Sequence, residues 1–228
     1  IGLMPCMVTS YEQGFAWKKA EIGRELTKLL EAKGVKIVTW IWQAGGTVSR
    51  NVPVVSPDDV KGLKIRGGSR EMDLMLKQAG GIISSVPSNE IYPAMQTGSL
   101  DAAITSSTSL ISFRLEEISK ALTTGRGKSF WYMFEPLLMS KVIFDALPAD
   151  QQKAIEEVGL DLEKFATSMA KADDEDVALV YKKAGAKVFD MDDAIISKWK
   201  KIAEESAWID YAKRSSECER FLKLAKAV

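Results

Sequence analysis

Arg66 closes the run Lys61-Gly62-Leu63-Lys64-Ile65-Arg66 and is followed by Gly67-Gly68-Ser69. A brief strand ending on a guanidinium, a glycine turn and a serine placed to cap the next helix together describe a strand-to-helix handover. Open α/β sheets bind anions at such places, because free helix N–H groups and the positive helix end point there. A guanidinium can grip a carboxylate with two parallel hydrogen bonds. A lone arginine is more often a structural ion-pair partner, so Arg66 needs support from its surroundings. Thr105, Ser106, Ser107 and Thr108 follow the short apolar strand Leu100-Asp101-Ala102-Ala103-Ile104. Hydroxyls at a helix start can donate to an anion or can simply cap the helix.

The chain has no histidine. That removes the usual general base, the imidazole zinc ligand and the Ser-His-Asp type of triad. An enzyme would need an acid/base pair, and Glu135 and Asp101 are the nearest to one, so the residue types favour binding over catalysis. Cys6 and Cys218 stand at opposite ends with no metal-like spacing. The run Asp173-Asp174-Glu175-Asp176 lacks the alternating ligands and glycine of a calcium loop and reads as a solvated helix face. No glycine-rich stretch matches a phosphate-binding motif. Neither a cofactor nor a metal is expected. The 228 residues carry 31 basic and 31 acidic side chains, so nothing calls for nucleic acid or a polyanionic surface as partner. No apolar run has the length of a membrane span.

The elements that would position Arg66 are written in local signals. Ser56-Pro57-Asp58-Asp59 is a helix start that Gly62 can close. Pro87-Ser88-Asn89-Glu90-Ile91-Tyr92 begins another helix, ended at Gln96-Thr97-Gly98. The order of these pieces resembles the solute-binding proteins of TRAP (tripartite ATP-independent periplasmic) transporters, the DctP type. The matching residues are Pro57, Asp59, Lys61 to Arg66, then Glu90, Ile91, Tyr92, Ala94, Met95, Gln96, Gly98, Leu100, Asp101 and Ala102. The likeness runs over nearly the whole chain, and two linked motifs at compatible spacing are far more specific than either alone.

The resemblance implies an α/β, type II periplasmic-binding fold that closes over a small organic acid and delivers it to membrane permease subunits. It implies a periplasmic or otherwise extracytoplasmic location, with a signal peptide upstream of the sequence. It implies no chemistry; a sensor-coupled binding module or an enzyme on a similar fold are the alternatives. Residues 1–42 would be part of lobe I, 43–124 lobe II and 125–147 a strand returning to lobe I. Residues 148–228 would form a long spanning helix and C-terminal helices packing on both lobes. The N-terminal part of lobe I would be absent. Arg66 would hold the carboxylate, with Thr105, where the family usually has asparagine, and Ser106 beside it. Trp131, Phe134 and Trp42 would wall the ligand. Gly45 stands where the family frequently has a second arginine, with Arg50 nearby in sequence. These departures suggest a monocarboxylate with an apolar or aromatic body.

Periodicity supplies the remaining elements. Tyr11 to Lys33 reads as one helix ended by Gly34, and Val35 to Trp42 as a continuous buried strand. The resemblance makes Gln43 to Asn51 a cleft-side connection, pliable through Gly45-Gly46, and Ser129 to Ser140 reads as one strand. A helix should run from Leu110 to Glu117. A long helix follows Leu147-Pro148, with Ile155, Val158, Leu162, Phe165 and Met169 as its apolar face.

Overall fold

The computed structural model describes residues 1–228 as a mixed α/β protein. Two helices open it, α1 (Tyr11–Lys19) and α2 (Glu21–Ala32). Ser10 caps α1 by accepting from the Gln13 N–H. The single helix expected over Tyr11 to Lys33 is broken at Ala20, which is extended. The break lets α2 pack so closely on the end of α1 that a β-carbon at Gly23 would overlap the Trp17 carbonyl oxygen.

The run expected as one buried strand is two. β1 (Val35–Thr39) pairs antiparallel with β8 (Leu137–Ser140), and β2 (Trp42–Ser49) enters a different sheet. That second sheet has the order β4 (Ile82–Ile83), β3 (Lys64–Arg66), β5 (Ala102–Ser106), β2, β6 (Ala121–Thr123), β9 (Lys187–Phe189), with β7 (Tyr132–Phe134) also on β2. The segment read as a pliable connection is therefore the strand that pairs with three others. The strand expected over Ser129 to Ser140 divides at Glu135-Pro136 into β7 and β8.

Between β3 and β4 lies α3 (Arg70–Gln78), capped by Ser69, and before β5 lies α4 (Ile91–Thr97), closed by Gly98 at φ 81°. Asp59 accepts from the Ser56 N–H at 2.7 Å to start the short 3-10 helix Pro57–Val60, as that motif predicts. After β5, α5 (Ser107–Ser112) ends at Phe113, and Arg114 in the left-handed region turns the chain into a separate 3-10 segment, Leu115–Ile118. One helix over Leu110 to Glu117 is not formed. α6 (Lys141–Asp145) leads to α7 (Ala149–Lys183), 35 residues long. The C-terminal part holds α8 (Asp193–Ala203), a π-helical turn at Glu204–Trp208, α9 (Ile209–Arg214) and α10 (Ser216–Lys226).

The buried apolar side chains form two clusters. The larger gathers Trp17, Trp42, Ile65, Met72, Trp131 and Trp199; the smaller gathers Val48, Met95, Leu110, Leu122, Val177 and Tyr181. α7 touches both, through Ala170 and then through Val177 and Tyr181. Its stripe Val158, Phe165 and Met169, expected to be core, is exposed, together with Leu137 and Leu138 on β8. The face that α7 buries is instead Gly159, Glu163, Ala170, Asp174, Val177 and Tyr181. Glu163 ties it down, accepting from Lys18 at 2.6 Å and from the Trp40 N–H at 3.1 Å. No helix is long and apolar enough to cross a membrane.

Candidate ligand site

β3 and β5 run parallel, with Arg66 opposite Ala103. Arg66 is thus delivered to the carboxyl ends of both strands, beside Thr105 and the start of α5. Its Nη1 donates to the Ile104 carbonyl at 2.8 Å and its Nε to the Val86 carbonyl at 3.2 Å. Two of the five guanidinium donors are so used, and the rest have no protein acceptor. The ion-paired arginines are Arg70, Arg114, Arg126, Arg214 and Arg220; Arg66 is not among them. Burial lowers its pKa, partly opposed by the Asp73 carboxylate. An arginine starting so high stays charged, and its half-buried charge is neutralised by no carboxylate in contact.

Arg66 lines a cavity of about 330 Å³ with Gly68, Ser69, Arg70, Asp73, Ser85, Val86 and Pro87. The amino end of α3 opens into it, which adds partial positive charge. Asp73 is the opposing charge: its Oδ1 accepts from the Gly67 N–H at 3.1 Å, holding the turn, and burial raises its pKa above the usual carboxylate range.

Trp131 is the second neighbour. A β-carbon built on Gly68 would lie 2.9 Å from both Trp131 Cη2 and Arg66 Nη1, so indole and guanidinium meet across that glycine. Gly68 has φ 87°, a backbone glycine adopts freely. The other edge of the indole covers Gly45, where a β-carbon would lie 2.7 Å from Trp131 Cε3. Its Nε1 donates to the Leu3 carbonyl at 3.2 Å. Gly45 and Trp131 belong together: the indole occupies the space a long side chain at 45 would need. Arg50 does not substitute. It lies five residues on, just past the end of β2 and about 17 Å away at strand rise, where its N–H donates to the Asp101 carbonyl and its guanidinium covers Gly98.

Arg66, Thr105, Ser106 and Trp131 are thus brought to one end of the sheet. Thr105 pairs with Gly46 and Ser106 with Gly45, so alternation puts buried Thr105 on the face of the sheet opposite Gly45. The Ser106 hydroxyl caps α5 by accepting from the Ser109 N–H at 3.2 Å. Trp42 and Phe134 are placed elsewhere. They pair across β2 and β7, and strand alternation puts them on the face of β2 opposite Gly45. There Trp42 stands edge-on to Trp17 at 5.5 Å, and Phe134 packs on Trp42 and Trp40 at 5.2 and 4.5 Å. The run's aromatic composition gave no sign of this division; the alternation along Trp42 to Gly45 was the available signal, once the segment is recognised as strand. Asp174 also escaped sequence reasoning, its acidic run reading as a solvated helix face. The Ser107 hydroxyl, one residue beyond the expected pair, donates to buried Asp174 at 2.5 Å.

Residues 2–213 match the family described as bacterial extracellular solute-binding protein, family 7. The chain is 60% identical over 226 residues to a solute-binding protein of Albidiferax ferrireducens, covering 99% of this chain and 67% of that protein. It is 27% identical over 188 residues to the C4-dicarboxylate-binding periplasmic protein DctP of Rhodobacter capsulatus, covering 82% of this chain and 55% of the relative. The chain therefore spans between about half and two thirds of these two proteins. A crystal structure of a TRAP periplasmic solute-binding protein from Rhodoferax ferrireducens with bound malonate superposes with a TM-score of 0.96 at 59% identity, covering 99% of this chain and 72% of that one.

Proposed function

The chain belongs to the bacterial extracellular solute-binding proteins of family 7 and has their type II periplasmic-binding α/β fold, and on that premise we propose that it captures a small organic acid outside the cytoplasm for delivery to TRAP permease subunits. The carboxylate sits at Arg66. The observation that carries this reading is the guanidinium itself: two carbonyls hold it in place, no carboxylate of the protein pairs with it, and it faces a cavity. Burying an arginine without a counter-ion costs stability unless a partner arrives. A ligand carboxylate is such a partner, and the N-terminus of α3 adds to its attraction. Residues 1–42 and 125–147 act as parts of one lobe, 43–124 as the other, and 148–228 brace both. Contacts from both lobes to one ligand favour the closed state.

The cavity beside Arg66 favours a short acid. The malonate-bound relative holds an acid of this kind. An acid with an aromatic or apolar body is the second reading, favoured by the indole of Trp131 next to the guanidinium.

Thermal melting against a panel of short diacids, sugar acids and aromatic monoacids tests the reading, with Arg66→Ala alongside. A ligand at a hundred times its Kd adds about 2.7 kcal/mol, which in a protein of this size raises the midpoint by about 5–10 °C. A shift with one carboxylate class, lost in Arg66→Ala, is expected. A shift retained in the variant moves the anion site elsewhere, and no shift with any acid removes the organic-acid reading.

A further inference from the structure

Behind the ligand site, on the opposite face of β2 from Gly45, lies a carboxylate that the site itself does not use. Asp174 is 3% exposed, within the acidic run of α7 that the sequence suggested was solvated. Each of its oxygens takes one hydroxyl: Tyr11 donates to Oδ2 at 2.7 Å and Ser107 to Oδ1 at 2.5 Å. The Tyr11 oxygen in turn accepts from the Ala44 N–H at 3.3 Å. Ala44 precedes Gly45, the glycine under the Trp131 indole, and Ser107 follows the Thr105-Ser106 pair. The single side chain thus reaches, through one hydroxyl each, the backbone segment that carries Gly45 and the one that carries Thr105-Ser106. It also stands where α7 passes from the larger apolar cluster, at Ala170, to the smaller, at Val177.

We propose that Asp174 is a positioning residue of the ligand site, fixing the start of β2 and the β5–α5 junction to each other and to α7 by accepting from Tyr11 and Ser107. The proposal rests on the placement of the ligand at Arg66. Both partners are donors, so the arrangement requires an acceptor at each oxygen; an ionised carboxylate is acceptor-only, whereas a protonated one places an O–H donor on one of them. Burial opposes that ionisation and holds the Asp174 pKa above its usual value, while the two hydroxyls act in the other direction. Other charges in the vicinity are Asp173 and Glu175 on the same helix. The Lys171–Glu12 and Arg126–Glu175 pairs stand around a cavity of about 310 Å³ that Asp174, Tyr11 and Tyr132 also line. A buried carboxylate that costs stability is a poor structural fastener but a precise double acceptor. Replacing it should therefore separate stability from site geometry.

The test is Asp174→Asn, with Ser107→Ala and Tyr11→Phe as companions should the first fail to fold. Local hydrogen exchange is measured without ligand, and binding of malonate and the acid panel by calorimetry. In Asp174→Asn the midpoint at neutral pH should stay or rise. Exchange at residues 44–46 and 105–109 should quicken at least tenfold, and the Kd of any acid that binds the parent should rise at least fivefold. The companions should loosen the same two segments. A lowered midpoint with exchange quickened evenly throughout makes Asp174 purely structural and overturns the proposal, as does unchanged exchange at both segments. Should no acid bind the parent, the ligand reading falls, and the exchange data still decide whether Asp174 organises these segments.

Discussion

Gly45 is occupied by its neighbour. The Trp131 indole lies where the first carbon of any side chain would go, at 2.7 Å, and closer than any real contact of that kind. Trp131 is itself anchored: its Nε1 bonds the Leu3 carbonyl, its carbonyl accepts from the Gly45 N–H at 2.9 Å, and its N–H donates to the Ser129 hydroxyl at 3.1 Å. A methyl group at 45 must therefore push the indole toward Arg66, across Gly68. Gly45→Ala should destabilise by about 1–3 kcal/mol, the range for overpacking, and weaken acid binding as well. Urea unfolding and calorimetry read the two effects, and an alanine variant with the parent's stability and affinity would mean that the indole is not fixed there. Within the cavity, Asp73 carries the same sign of charge as the ligand, yet its Oδ1 is engaged at the Gly67 N–H. Its work is on the turn that presents Arg66.

At the scale of elements, α7 meets β1 through Gly159, where an added β-carbon would overlap the Val38 carbonyl oxygen. Two effects of Gly159→Ala compete. Alanine favours the helix by up to about 1 kcal/mol over glycine, but a backbone carbonyl cannot turn aside as a side-chain tip can, and overpacking costs about 1–3 kcal/mol. The clash should win, with a lower melting midpoint and weaker protection of the Lys18–Glu163 contact region. A stabilised variant would show that the helix can lift from the strand without cost. The same helix marks what was legible beforehand. Its ends were, because Pro148 before the first turn and Gly185 at φ 87° after the last act locally. So were the Ser56–Asp59 capping box, the Ser69 cap and the placement of Arg66 at the end of β3. Its buried face was not: the apolar stripe at Val158, Phe165 and Met169 is exposed, and acidic Asp174 is buried, because burial depends on what packs against the helix. β2 was hidden for a related reason. Gly45-Gly46 weakens any strand signal, and only the partners β5, β6 and β7 make the segment extended. Trp42 and Phe134, which the resemblance made ligand walls, pack instead on Trp17 and Trp40.

At the scale of the whole molecule, the balance of buried and surface carboxylates sets how stability answers to pH. Burial raises the folded-state pKa of Asp174, of Glu135 and of half-buried Asp73. A raised carboxyl binds its proton more readily folded than unfolded, so its contribution is full below the unfolded value, about 4, and is lost as pH climbs through the folded one. Asp190, Asp210 and Glu12 have the opposite sign, being held low by Arg126, by Arg214 and by Lys171. Their contribution is present above the unfolded value and lost as pH falls, but each pair lies at the surface, where screening leaves little of it. No histidine titrates between these ranges. Above the ordinary carboxylate range the three raised groups should therefore dominate. The melting midpoint, followed at constant ionic strength from about pH 5 upward, should decline until Asp174, Glu135 and Asp73 are ionised and then level off. Asp174→Asn removes one of the three groups and should make that decline shallower while leaving the surface pairs untouched. A parent midpoint that climbs over this interval, or a variant with the parent's slope, would mean that the cost of ionising Asp174 is met within its two hydrogen bonds. In that case the folded protein holds the ionised form without loss, and the separation of stability from site geometry expected of Asp174→Asn disappears with it.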